Sequence, residues 1–383
     1  MTVRPAASET GDPLLLTPGP LTTSKAVKEV MVHDWGSRDQ AFIDINQAVR
    51  DGVVKVAGGE RTHTCVPMQG SGTFSVEAMI TSFVPRDGKV LILVNGAYGK
   101  RAGKICDYHA RAYVTYETPE DTPPSVEEIG RLLDEDKEIT HVFAVHCETT
   151  SGILNPIKAI ADMVQAKGRR LLVDSMSAFG ALPIDAKSVH YDALAASSNK
   201  CLEGIPGMGF VVCRLSALAE TEGNANALTL DLFDQWKSME ANKQWRFTPP
   251  IHVIVSLDQA IKEFSAEGGV EGRGGRYANN CRVLVEGMRE LGFETLLPDD
   301  LQAPIIITFH KPADANFHFE TFYNMLAERG YLIYPGKLTV ADSFRIGCIG
   351  RLHESHMQGA VDAVREVLRE MGVSNCAPAR AAE

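Results

Sequence analysis

The 383-residue chain has eight cysteines, Cys65, Cys106, Cys147, Cys201, Cys213, Cys281, Cys348 and Cys376, and no two form a CxxC pair. That spacing excludes zinc ribbons and thioredoxin-type redox motifs. Several lie in apolar, strand-like runs, where cysteine acts as a small hydrophobe. Scattered thiols suit a reducing compartment, so a cytoplasmic location is expected. No apolar stretch approaches the length of a membrane span. The first residues, MTVRPAASETGDP, lack the hydrophobic core of a secretion signal. A long basic run is also missing, and the net charge is 38 − 49 = −11. Nucleic acid and membrane surfaces are therefore poor partners. The one glycine-rich loop, Gly70 to Thr73, is not followed by Gly-Lys-Ser/Thr, so it is no Walker loop. It also lacks the G-x-G-x-x-G spacing after a strand, which argues against a dinucleotide-binding dehydrogenase. Internal repeats and low-complexity segments are absent.

What is present is an ordinary globular composition, 44% hydrophobic and 23% charged. The length favours two domains. Apolar strand patterns over 89–94, 113–116, 141–145, 170–173, 192–196 and 208–213 alternate with helical patterns. Continuous apolar strands separated by helices predict an α/β fold with a mostly parallel sheet covered on both faces. Gly268-Gly269 interrupts a long helical stretch, and the remainder reads as a smaller α+β unit. The expected division is a flexible tail over 1–13, a large domain over 14–267, a small domain over 268–375 and a flexible tail over 376–383.

Two strand ends carry opposite charges. The run Leu171-Leu172-Val173 stops at Asp174, and Ala193 to Ala196 leads to Ser197-Ser198-Asn199-Lys200. Alone, Asp174 reads as a helix N-cap and Lys200 as a surface lysine. In an open parallel sheet, however, ligands bind at the carboxyl ends of the strands. Tyr98 and Thr149 also follow strand ends, and Ser71-Gly72-Thr73 open a helix whose free amides attract phosphate. A buried lysine is readily neutral and attacks aldehydes. Pyridoxal phosphate needs an amine for its aldehyde, an anion for its ring nitrogen, a phosphate cradle and a flat group over the ring. Lys200, Asp174, Ser71 to Thr73 and Tyr98 supply that set.

The motifs LLLTPGPLTTS (14–24), DWGSRD (34–39), QGSGTFSVEA (69–78), NGAYGKR (95–101), HCETTSG (146–152), VDSMSAFGALPID (173–185), SSNKCLEGIPGMGF (197–210), FTPPIHV (247–253) and FRIGCIG (344–350) resemble those of the class V, fold-type I aminotransferases. The resemblance runs from about Leu14 to about Gly372. It implies a seven-stranded, mostly parallel sheet and a pyridoxal phosphate cofactor. Lys200 would form the Schiff base, Asp174 would hold the ring nitrogen, and Ser71, Gly72 and Thr73 would hold the phosphate. Tyr98 would stack on the ring, where relatives often carry Trp. Thr149 would bond near the phenolic oxygen or substrate, and Asn199 would assist at the phosphate. Thr248 would reach the cofactor of a neighbouring subunit, implying a homodimer with shared sites. Arg345 would clamp the substrate's acidic group; Arg38 and Arg246 are further candidates. The TPGP and DWGSRD loops and SNKCLEG point to the branch that takes 2-aminoethylphosphonate as amino donor and pyruvate as acceptor. Alanine–glyoxylate or serine–pyruvate exchange is the alternative. A cysteine desulfurase is disfavoured, because Asn199 stands where that group has His before its lysine.

Overall fold

The computed structural model describes residues 5–338 and 341–379. The strands in chain order are β1 (Leu14–Leu15), β2 (His63–Gln69), β3 (Lys89–Val94), β4 (Ala112–Glu117), β5 (Ile139–Val145), β6 (Cys147–Glu148), β7 (Ile153–Leu154), β8 (Arg170–Asp174), β9 (Ala193–Ser197), β10 (Met208–Arg214), β11 (Ile306–His310), β12 (Tyr331–Leu332), β13 (Tyr334–Pro335) and β14 (Ser343–Gly347). Seven of them form one sheet in the order β2-β10-β9-β8-β5-β3-β4. Only β10 runs antiparallel, against both β2 and β9. The expected mostly parallel seven-stranded sheet is present.

Alternation along each strand builds two cores. Leu91, Leu93, Val142, Leu171, Val173 and Leu194 face one layer of helices. Val90, Ile92, Phe143, Leu172, Ala195 and Val211 face the other. Both faces are covered, so the strands read as unbroken apolar runs. The sequence pattern misses β2, which contains Pro67. Proline belongs at sheet edges, where its missing N–H breaks no interior ladder, and β2 is an edge. The helix Leu232–Asn242 is also absent from the sequence reading. Asp231 caps it, accepting a bond from the Asp234 amide at 3.0 Å.

The C-terminal part has its own sheet, β11-β14-β13, under an aromatic cluster of Phe293, Phe309, Phe317, Phe322 and Phe344. The N-terminal segment joins it, since β1 pairs with β12. The flexible tails expected over 1–13 and 376–383 fall partly outside the described residues. Within them, Lys28 donates to Asp12 at 2.7 Å, and the Ala313 amide donates to the Ala377 carbonyl at 2.9 Å.

The loop between β9 and β10 carries Lys200 and is anchored from a distance. Glu203 is buried with left-handed backbone, φ 60°. Its Oε1 accepts from Tyr277 Oη at 2.5 Å and Arg276 Nη2 at 2.8 Å. Arg273 Nη1 donates to the Cys201 carbonyl at 2.6 Å. All three partners lie on the helix Gly269–Glu290, at the spacing that shares one face. Gly274 of this helix lies against the turn at Ala181, where an added Cβ would come within 2.3 Å of a carbonyl oxygen. Arg276 Nη1 continues the link to the carbonyls of Gly350 and Leu352 at 2.6 and 2.8 Å.

Removing the charge of Glu203 leaves the fully buried Arg273 short of one counter-ion. Glu203→Gln is expected to lower stability by roughly 3 kcal/mol, and Tyr277→Phe by about 1 kcal/mol. Urea midpoints measure both, and equal small losses for the two variants would contradict the anchoring role of the carboxylate.

Candidate active site

A cavity of about 160 Å³ lies at the carboxyl ends of β8 and β9. Its lining includes Ser71, Gly72, Thr73, Tyr98, Asp174, Asn199 and Lys200. Seven of the sequence-predicted site residues therefore meet in one place. Asn199 Oδ1 accepts from Ser197 Oγ at 3.0 Å.

Asp174 is the last residue of β8, and the chain after it turns rather than starting a helix. One carboxylate oxygen accepts the Met176 amide at 2.9 Å. Burial pushes its carboxyl up to about 6, and the Met176 bond opposes this. Lys200 answers with the opposite shift. Burial pulls its ammonium down to about 8, with Asp174 partly opposing it. Its Nζ donates to the Pro18 carbonyl at 2.9 Å. The loop at Thr17 to Pro20 thus lies directly on the lysine. Gly19 has φ +121°, and a Cβ there would come within 2.6 Å of Lys200 Nζ.

Ser71 is the N-cap of the helix Gly72–Phe83, and its side chain makes no capping bond. The first-turn amides of a helix have no intrahelical partner, and here they open on the cavity. Tyr98 stands in the first turn of the helix Ala97–Tyr108. Arg101, one turn later, donates to Thr73 Oγ1 at 3.1 Å and lies 4.8 Å from the Tyr98 ring centroid. The i, i+3 spacing in NGAYGKR was the signal for it, and the sequence reading passed over it. Glu148 was also missed. Fully buried, it accepts the Tyr98 amide at 3.1 Å, the Thr150 amide at 3.1 Å and the Thr150 hydroxyl at 2.6 Å. It ties the start of the Tyr98 helix to the segment after β5. Burial raises its carboxyl above the ordinary range despite those bonds.

Thr149 is buried but does not line the cavity; its carbonyl accepts from Arg345 Nη1 at 2.7 Å. Arg345 Nε donates to the Pro335 carbonyl at 3.1 Å, and its guanidinium lies 5.6 Å from the Tyr334 ring centroid. Thr248 stands elsewhere. It is exposed and borders a separate cavity of about 350 Å³, together with Arg38 and Arg246. Within one chain these three do not meet Lys200.

The cavity fits pyridoxal phosphate on the chemistry of its donors. A buried carboxylate with one amide bond has capacity for a cationic ring nitrogen. A desolvated amine suits an aldehyde, and a helix N-terminus with Ser71 and Thr73 suits a phosphate. Among the described residues, no group of three His, Cys, Asp or Glu is placed to hold a metal ion.

Comparison with known proteins agrees. The family model "aminotransferase class-V" matches residues 23–346. A 2-aminoethylphosphonate–pyruvate transaminase of Pseudomonas putida KT2440 is 52% identical over 361 residues, covering 94% of this chain and 98% of that protein. One from Cupriavidus necator H16 is 53% identical, covering 96% and 97%. Among solved structures, pyridoxamine–pyruvate aminotransferase from Mesorhizobium loti superposes with a TM-score of 0.87 at 25% identity, covering 96% and 95%. An alanine–glyoxylate aminotransferase from a Nostoc species gives 0.86 at 22% identity, covering 96% and 98%, and shares the fold. With a family match over most of its length and relatives above half identity over nearly the whole chain, the chain belongs to the class V aminotransferases.

Proposed function

We propose that the chain transfers the amino group of 2-aminoethylphosphonate to pyruvate, giving phosphonoacetaldehyde and L-alanine, with pyridoxal phosphate as cofactor. The observation that carries the chemistry is one cavity holding a buried amine, a buried carboxylate and a helix N-terminus. The donor is supported by relatives of that name at about 52% identity over nearly the whole chain. The alanine–glyoxylate aminotransferase of similar structure is 22% identical to this chain, a likeness of fold that does not favour its substrates here.

When bound, the cofactor supplies an aldehyde that takes up an amine and a ring that accepts electrons from the neighbouring carbon. Lys200 would hold the cofactor's aldehyde between turnovers and, as a free amine, would act as the base that moves the proton of the donor's amine-bearing carbon. Its lowered pKa keeps a usable fraction of free amine near neutral pH. Asp174 would keep a proton on the ring nitrogen; Ser71, Gly72 and Thr73 would hold the phosphate, with Asn199 assisting, and Tyr98 would cover the ring. Thr149 would act near the phenolic oxygen or the substrate, its carbonyl holding Arg345, and Arg345 would bind the acidic group of each substrate in turn.

The working unit in this reading is a homodimer in the cytoplasm, with Thr248 completing the partner's site. Exposed Phe74, Leu228 and Phe247 support a covered surface beside Thr248. Eight free thiols suit a reducing compartment. No helix among the described residues is long and apolar enough to cross a membrane. The domain division at 267/268 is part of the same reading. The aromatic cluster around Phe344 supports it, while the wider core around that cluster also takes in Leu14, Leu16 and Leu21 from the N-terminal segment.

A donor screen with pyruvate tests the reaction. Alanine should form fastest with 2-aminoethylphosphonate, and double-reciprocal plots should be parallel. Better turnover with serine or glyoxylate-linked donors would overturn the assignment. Lys200→Ala should abolish turnover and the borohydride-sensitive visible band.

Asp174 makes a second test through pH. Its folded value of about 6 exceeds the unfolded 3.8. The unfolded chain therefore releases its proton first, and stability falls as pH rises through that window. The loss reaches about 3 kcal/mol by neutral pH unless a cation lies beside the carboxylate. The gain in melting temperature on adding pyridoxal phosphate should widen between about pH 4.5 and 7. Asp174→Asn should remove that widening.

For the assembly, sedimentation should give two chains per particle. Thr248→Ala should weaken cofactor binding without altering the dimer. Full cofactor affinity in a monomeric species would refute the shared site.

A further inference from the structure

Three cations gather around Tyr98 and Tyr334, and two are accounted for. Arg101 bonds Thr73 at the helix N-terminus, and Arg345 bonds two carbonyls. The third is Lys337, exposed on the segment between β13 and β14. Its Nζ lies 4.6 Å from the Tyr98 ring centroid, the same ring that Arg101 approaches at 4.8 Å. Lys337 lies in the electrostatic field of both Arg101 and Arg345. Among the described residues, the carboxylate felt by both Lys337 and Arg345 is Glu148. That carboxylate is already bound to the Tyr98 and Thr150 amides and the Thr150 hydroxyl.

Like charges held together without a free counter-ion repel, and a ligand anion relieves the repulsion. A ring face attracts a cation only weakly at an exposed site. The arrangement therefore favours an anion of higher charge than one carboxylate. One arginine fork already matches a carboxylate. A phosphonate carries between one and two negative charges at neutral pH, more than a carboxylate. It also has a third oxygen that a planar fork leaves unbound.

We infer that Lys337 is the second cation for the donor's phosphonate and a determinant of phosphonate over carboxylate. Arg345 takes two oxygens, and the mobile ammonium of Lys337 takes the third. With a carboxylate ligand, Lys337 stays on the Tyr98 ring. This inference rests on the donor reading above and deepens it.

The test uses the cofactor-loaded protein and two unreactive probes, ethylphosphonate and propanoate, with binding read by calorimetry. Wild type should bind ethylphosphonate more tightly. Lys337→Met should weaken ethylphosphonate about tenfold, the scale of one charge-assisted bond at a partly solvated site, and propanoate less than twofold. Lys337→Arg should restore most of the loss. An unchanged visible cofactor band in both variants shows that the site is intact. Unchanged ethylphosphonate affinity in Lys337→Met, or equal weakening of both probes, would overturn the inference while leaving the donor reading standing. Wild type that prefers propanoate and fails to turn over 2-aminoethylphosphonate would overturn the donor reading itself, and the inference with it.

Discussion

The structure depends on a carboxylate that never touches the cavity. Glu203 lies three residues beyond Lys200 and is bound by Arg276 and Tyr277 of the helix Gly269–Glu290. A ten-residue loop between two strands would otherwise leave a lysine free to sample many positions. Ordering such a loop costs conformational entropy of order 1–2 kcal/mol per residue, and local bonds alone recover little. Buried charge-assisted bonds are stronger, and they are directional. They hold the loop on one side while Ser198 Oγ closes it on the other, donating to the Ile205 and Met208 carbonyls. The network then runs on to Gly350 and Leu352, just past β14. The lysine and the arginine Arg345 are therefore referenced to the same helix.

Inside the cavity, burial acts on both charges in opposite directions. It raises Asp174 and lowers Lys200, so each moves toward its neutral form. A direct ion pair between them would reverse both shifts, leaving a protonated amine that cannot attack a carbon. Desolvation outweighs their mutual attraction at both groups. The cavity thus keeps an amine that can react and a carboxylate that gains by meeting a cation. Glu148 shows the same physics put to structural use, its buried oxygens bound to backbone amides instead of an ion.

Much of this was legible in the sequence, and the reasons are local. Leu171 to Val173 and Ala193 to Ala196 are apolar runs that stop abruptly, and such runs mark strand ends in a doubly covered sheet. The polar residues after them, Asp174 and Asn199-Lys200, converge because the sheet rules bring strand ends to one edge. Glu203 was not legible. Its partners lie 73 and 74 residues away, and an acid in a Gly- and Pro-rich loop reads as solvated. β2 was hidden because Pro67 is acceptable only at an edge, and edge position follows from the strand order. Lys337 reads as a turn residue in Pro-Gly-Lys until the fold lays it against Tyr98. Thr248 borders a different cavity from Lys200 in its own chain, a separation that sequence position alone does not reveal.

Strand β14 shows how packing fixes the place of a charged side chain. Successive side chains on a strand face opposite sides. Phe344 enters the aromatic cluster, and Arg345 goes the other way, toward the Thr149 carbonyl and the Tyr334 ring. Removing a guanidinium from water is unfavourable, and burial accordingly lowers its pKa. Two carbonyls, Thr149 and Pro335, compensate in part by accepting from it. Those carbonyls belong to different places, one beside the large sheet and one in β13. The arginine is thus fixed by a hydrophobic neighbour on its own strand and oriented by backbone from both parts of the chain. A shift of the small sheet relative to the large one must break one of these bonds. The two carbonyl bonds therefore favour a single arrangement of the two sheets, and in the proposed role of Arg345 an acidic ligand would add to that preference.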